Sequence, residues 1–155
     1  MPQLVKGGKY VFGWSKVGDN GRIVIPKEAL EEYNLTNVEK VILMPGSKRS
    51  GGFGLSSIEL LKKSKLSIIL EKNPKLSEFQ ISEGELILIN GKAFCWVRLQ
   101  NINTIIVPIQ ALKKYGIKPE DYLLSVRGSK IAIGFPVRGP LIEEAKKHLN
   151  IKLYE

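Results

Sequence analysis

The sequence predicts an α+β fold built from two tandem copies of a small ββαβ unit, each copy extended by a further helix and strand. Three observations lead there. The 155-residue chain repeats itself at an offset of 82 residues. Each copy runs β-type residues into a proline and then into residues at helical spacing. Turn-forming glycine, asparagine and aspartate separate those runs.

The repeat is read directly. FGWSK (12–16) aligns with FCWVR (94–98), and IVIPKEALEEYNL (23–35) with IIVPIQALKKYGI (105–117). GSK at 46–48 recurs at 128–130, and Gly52-Phe53 recurs as Gly134-Phe135. Residues 12–53 match residues 94–135 without a gap, and the chain's two tryptophans, Trp14 and Trp96, coincide. With a one-residue shift, ELLKKSKLSIIL (59–70) resembles EEAKKHLNIKL (143–153). The first unit is therefore residues 1–73, a linker 74–82, and the second unit 83–155.

Within a unit, residues 10–17 are aromatic and β-branched, which suits a strand. Gly18-Asp19-Asn20-Gly21 is a turn, and residues 22–25 form a second strand. Pro26 stands where a helix best tolerates proline, at its start. Over 27–33 the spacing places Ala29, Leu30 and Tyr33 on one face and Glu28, Glu31 and Glu32 on the other. Asn34 and Gly116 share the position at the helix end where a left-handed residue is wanted. Residues 38–44 and their counterparts at 122–126 read as strands, and 46–54 as a glycine-rich hairpin loop. A second helix and a final strand close each unit. One unit alone exposes strand edges and has little core, so it needs a partner, which the duplication supplies.

Hydrophobic residues make up 43% and charged residues 25% of the chain, enough for a core without staples. The single cysteine, Cys95, excludes an intrachain disulfide and suits a reducing cytoplasm. The amino-terminal stretch lacks the apolar region of a signal peptide. The longest apolar runs are far too short to cross a membrane, so no membrane partner is expected. The net charge of +9 attracts polyanions; a lysine-rich solubilising surface is the alternative.

Candidate functional residues follow from that charge. Arg22 at the turn can reach a phosphate or a guanine edge, or pair with a nearby carboxylate. The segment GSKRSGGFG (46–54) lacks the spacing of a phosphate-binding loop. It reads as a hairpin tip whose Lys48 and Arg49 can touch backbone phosphate. Lys113 and Lys114, with Arg98 and Lys92, outline a basic face, the alternative being solvated lysines. Phe12 with Trp14, and Phe94 with Trp96, alternate along their strands, so each pair is expected to face one side, for packing or for stacking on bases. With one cysteine and one histidine no zinc set can be assembled, Cys95 reads as an inert thiol, and no catalytic motif stands out. No metal, cofactor or catalytic residue is expected, and the chain does not read as an enzyme.

VGDNGRIVIPKEAL (17–30) resembles the opening motif of the AbrB/SpoVT/MazE superfamily of swapped-hairpin proteins. Gly21, Arg22, Ile25, Pro26, Lys27 and Glu28 fit its pattern. The second unit keeps Val107 and Pro108, replaces Gly-Arg by Asn103-Thr104, and is similar to the family further on, in YGIKPEDYL (115–123). The resemblance implies two halves interlocked into one small pseudo-two-fold β-barrel, here in a tandem, MraZ-like chain. It implies a cytoplasmic, DNA-binding transcriptional regulator whose partners are double-stranded DNA and a further copy of itself as a homo-oligomer. Arg22, Lys48, Arg49, Arg98, Lys113 and Lys114 are then the DNA contacts. DNA-binding members commonly carry arginine four residues after the proline; here Leu30 and Leu112 stand there and are expected to be buried where the units join. The alternatives are a protein-interaction barrel that binds no DNA and a small-molecule-binding barrel.

Overall fold

The computed structural model describes residues 10–155; the amino-terminal stretch expected to lack a signal peptide lies mostly outside them. The chain is a mixed α+β structure dominated by a large, mostly antiparallel sheet, with six short helices among the described residues. The first half contributes β1 (Val11–Lys16), β2 (Arg22–Val24), α1 (Lys27–Glu32), β3 (Lys40–Pro45) and β4 (Phe53–Ser56). Helices α2 (Ile58–Lys62), α3 (Ser67–Lys72) and α4 (Pro74–Ser77) follow. The second half contributes β5 (Ile87–Ile89), β6 (Lys92–Arg98), β7 (Thr104–Ile106), α5 (Ile109–Lys114), β8 (Tyr122–Arg127), β9 (Ile133–Phe135), α6 (Pro140–Ala145) and β10 (Leu153–Tyr154). Eight strands run in the order β10-β1-β8-β9-β4-β3-β6-β5, and β2 pairs with β7 in a separate ribbon.

The pairing crosses between the halves. Strand β1 lies antiparallel to β8, with Trp14 opposite Leu124, and β6 lies antiparallel to β3, with Trp96 opposite Ile42. Those two contacts are counterparts under the 82-residue offset. Where a strand meets its own counterpart, so do the residues: Ile23 faces Ile105 between β2 and β7, and Phe53 faces Phe135 between β4 and β9. The two phenylalanine rings stack with centroids 4.9 Å apart.

One central core draws on both halves, among them Ile23, Leu43 and Phe53 from the first and Ile105, Leu123 and Phe135 from the second. Leu30 and Leu112 lie in it at 0% and 1% exposure, buried as expected. Pro26 and Pro108 cap the two helices at φ −55° and −60°. Asn34 and Gly116 take the left-handed conformation at φ 59° and 74°. At Gly21 (φ 83°) a Cβ would come within 2.1 Å of the Val107 carbonyl oxygen, so the turn requires glycine. Its counterpart Asn103 reaches the same region at φ 53°.

Three expectations are corrected. First, only the second half closes with a strand: β10 runs parallel to β1, whereas residues 67–72 of the first half form helix α3. The edge of β6 is already occupied by β5, folded back through Asn90-Gly91 with both φ positive (52° and 79°), the pairing favoured in a two-residue hairpin turn. Second, the expected linker contains helix α4, whose Leu76 is fully buried in a side cluster with Leu61, Leu70 and Trp96. Third, Phe12 and Trp14 do not share a face. A register shift between Val11 and Gly13 turns Phe12 into the central core, while Trp14 packs on a separate cluster around Leu124 and Ile142. An extra residue in one strand inverts the alternation beyond it. Strand β6 has no such shift, and Phe94 and Trp96 sit together in the side cluster.

Candidate nucleic-acid interface

Helix α5 carries two of the candidate cations. Its apolar face is fixed by Ala111 and Leu112 in the core. That leaves Ile109, Gln110, Lys113 and Lys114 exposed, with both lysines in the last turn, where cations complement the helix dipole. The equivalent helix α1 carries Glu28, Glu31 and Glu32 exposed instead.

The turn joining β3 to β4 packs against the end of α5. The Gly52 N–H donates to the Tyr115 carbonyl at 2.8 Å, and Gly46 N–H to Gly52 O at 3.1 Å closes the turn. Lys48 and Arg49 stand exposed on it. Arg138 ties the pieces together. Its Nη2 donates to the Lys48 carbonyl at 2.9 Å, its backbone N–H donates to Ser50 O at 3.0 Å, and Nη1 lies over Gly51 and Gly116. Lys48, Arg49 and Arg138 thus belong to a turn packed beside the end of α5, the helix that carries Lys113 and Lys114. Among the described residues, no carboxylate lies within 4 Å of any of these cationic groups.

Arg138 was not legible as a member. The repeat places it opposite Ser56, and it follows β9 by three residues, so neither motif nor spacing marks it.

Arg22 lies at the other end of α5. It pairs with Ile106 across the β2–β7 ribbon, and the Val107 N–H just before α5 donates to Gly21 O at 3.0 Å. Four helical residues, about 6 Å of axis, separate that end from the lysine pair. The Arg22 side chain is exposed and shares a shallow dent with Lys16, Asp19, Glu120 and Glu155. Lys16 Nζ meets Glu120 at 3.0 Å. That bond and Asp19's hydrogen bond hold the Glu120 carboxyl below its usual range. The hydrogen bond to Glu120, and then its charge, hold Asp19 above the usual range. Arg22 forms no ion pair among the described residues, but three carboxylates stand beside it. Its counterpart Thr104 is buried, so no second arginine mirrors it.

Arg98 does not join the basic face. Its Nε lies 3.7 Å from Glu83, its backbone N–H donates to the Glu83 carboxylate at 2.8 Å, and its guanidinium lies 5.7 Å from the Trp96 ring centre. It fastens the residues before β5 onto β6. Lys92 is at the opposite end of β6, about 20 Å away along the strand, so Arg98 and Lys92 form no common face.

The other singled-out groups are structural. Cys95 is fully buried, and burial pushes its thiol up to about 11. Its Sγ sits 3.8 Å from the Tyr115 hydroxyl, which itself donates to Ala93 O at 2.9 Å. The Trp96 indole N–H donates to Ile81 O at 2.8 Å, so its polar edge is satisfied internally. His148 lies just beyond α6, 3.6 Å from Glu144. Among the described residues no helix is long and apolar enough to cross a membrane.

No protein-family model matches the chain, and no curated protein matches it. Among solved structures, the solution structure of PHS018 from Pyrococcus horikoshii is similar over 84% of this chain and 98% of that one, at 14% identity and a TM-score of 0.37. A likeness of that size carries no argument about what either chain does.

Proposed function

We propose that the chain is a DNA-binding regulator of the AbrB-like type, two halves interlocked in one small pseudo-two-fold barrel, with α5 rather than α1 against the duplex. The observation that carries this is the packing of the turn bearing Lys48, Arg49 and Arg138 beside the end of the helix bearing Lys113 and Lys114, with no carboxylate among the described residues paired to any of them. The interlocked reading is supported by the crossed pairing, β1 with β8 and β3 with β6. The cations would hold backbone phosphates and release their counterions. Arg22, at the far end of the same helix, would reach a base edge. Leu30 and Leu112 take no part, being buried.

The test is fluorescence anisotropy of the full chain with labelled genomic duplexes across a salt series. Five phosphate contacts predict a slope of roughly −4.5 in log affinity against log salt. The double change Lys113→Glu, Lys114→Glu should weaken binding to every duplex. No binding to any fragment at about 50 mM salt overturns the reading.

A second reading, an interaction module that binds no DNA, is favoured by the apolar surface beyond α6. Leu149 is 99% exposed there and Tyr122 47%, and they line one hollow with Trp14 and Leu153. Loss of DNA binding with retention of a protein partner on that hollow would select it.

A further inference from the structure

We propose that the groove crossing β4 and β9 binds a small anion with a flat apolar body and a single oxyanion group. The open groove offers about 720 Å³, within the range of small-molecule sites. Among the described residues its lining contains no aspartate or glutamate, and its only charged side chains are Arg49 and Arg138. Met44, Val126 and Leu141 supply apolar walls.

The floor is bare backbone, with Gly54 next to Gly134 across the strand pair. At Gly54 the fold does not demand glycine. Its φ is not left-handed, and a Cβ would meet nothing nearer than Met44 Cγ at 3.4 Å and Ala132 Cβ at 3.5 Å, ordinary contact distances. Gly52, two residues earlier, is different: a Cβ there would lie 1.8 Å from Phe135 O. Glycine inside a strand weakens it, and it marks places where another group approaches the backbone closely. A missing side chain at Gly54 keeps the floor flat enough for a ring to lie on.

The charged corner is built in advance. Arg138 is held by its Nη2 bond to Lys48 O and by its packing over Gly51, which leaves other N–H donors for a ligand. The backbone of Arg49 lies against Gly139, the residue after Arg138, so both guanidinium stems leave the same corner. Two arginines without a carboxylate match an oxyanion, and the glycine floor matches the ring attached to it. The inference does not depend on DNA binding.

The test uses the full chain, with anilinonaphthalene sulfonate as the charged fluorescent probe and N-phenylnaphthylamine as its uncharged analogue. One saturable site is expected, with the uncharged probe at least about ten-fold weaker because the charge-assisted bonds are lost. Gly54→Leu fills the floor, and Arg138→Gln removes the corner charge; each should cost about ten-fold or more in probe affinity. Gly54→Ala, whose methyl fits at ordinary contact distances, keeps the test decisive should the leucine variant fail to fold, and should weaken the probe by a smaller factor. Benzoate and phenyl phosphate as competitors identify the preferred oxyanion. The proposal is overturned by equal binding of the uncharged probe, by unchanged binding in folded Gly54→Ala and Arg138→Gln chains, or by displacement with neither competitor.

Discussion

Arg127 of β8 holds Glu32 of α1 through two parallel hydrogen bonds, Nε to Oε2 at 2.5 Å and Nη2 to Oε1 at 2.6 Å. The pair joins a helix of one half to a strand of the other, and the guanidinium also lies 4.2 Å from the Tyr10 ring centre. The hydrogen bond to Glu32 raises Arg127 above its already high value. The repeat counterparts are Lys114 and Pro45, which can form no such pair. Of the two adjacent carboxylates that would repel phosphate on α1, one is therefore committed internally and one, Glu31, is left to solvent.

That difference separates two charge reversals. Glu31→Lys changes surface charge alone, and its effect on duplex affinity should be several-fold smaller than that of Lys113→Glu at physiological salt, where screening acts over about 8 Å. Glu32→Lys also sets two cations against each other and should lower the denaturation midpoint as well. Equal effects of Glu31→Lys and Lys113→Glu on anisotropy titrations would place both helices on the duplex.

Leu30→Ala and Leu112→Ala should each cost about 2–5 kcal/mol in chemical denaturation, since both remove a fully buried side chain from the shared core. Either loss below about 0.5 kcal/mol would be the behaviour of a surface position.

Arg22→Ala distinguishes two roles for one exposed side chain. If it reads a base, the change should cost about 1–3 kcal/mol in binding and relax sequence preference. Uniform weakening over all duplexes, with the salt slope reduced by about one, would reassign it to phosphate.

Cys95 should resist thiol reagents at pH 8 in the folded chain and react fully in denaturant. Burial raises its folded value to about 11 from an ordinary 9. A raised folded value means that the thiol's contribution to stability is complete below about pH 9 and is lost as pH climbs towards 11. Cys95→Ser should flatten that alkaline decline in denaturation midpoint. Rapid labelling of the native protein at pH 8 would contradict the burial.

Much of the central fold could be read locally. The proline before each helix, the left-handed Asn34 and Gly116, and the burial of Leu30 and Leu112 all follow from short-range rules applied twice. What escaped reading depends on competition between distant segments. Residues 67–72 include an apolar run that reads as a strand, but the β6 edge it would join is occupied by β5, and the segment is helical. The inversion of Phe12 depends on a register shift set by β8. At the candidate interface the lysine pair and the hairpin tip were visible as charges. Their meeting was not, because it runs through Gly52 and Tyr115 and through Arg138, an arginine in no motif.

The crossed pairing also orders events in time. Trp14 finds its described strand neighbours at Leu124 and Leu153, so β1 has nothing to lie against until most of the chain has left the ribosome. Contacts so far apart in sequence slow folding. A nascent first half meanwhile offers the edges of β1 and β3 to whatever is near, including another nascent first half. Tethering the proper mate to the same chain raises its effective concentration above that of any neighbour. Carrying both halves on one polypeptide would thus shield the first half during synthesis, and a chain cut before β8 should emerge as a dimer or an aggregate rather than as half of this structure.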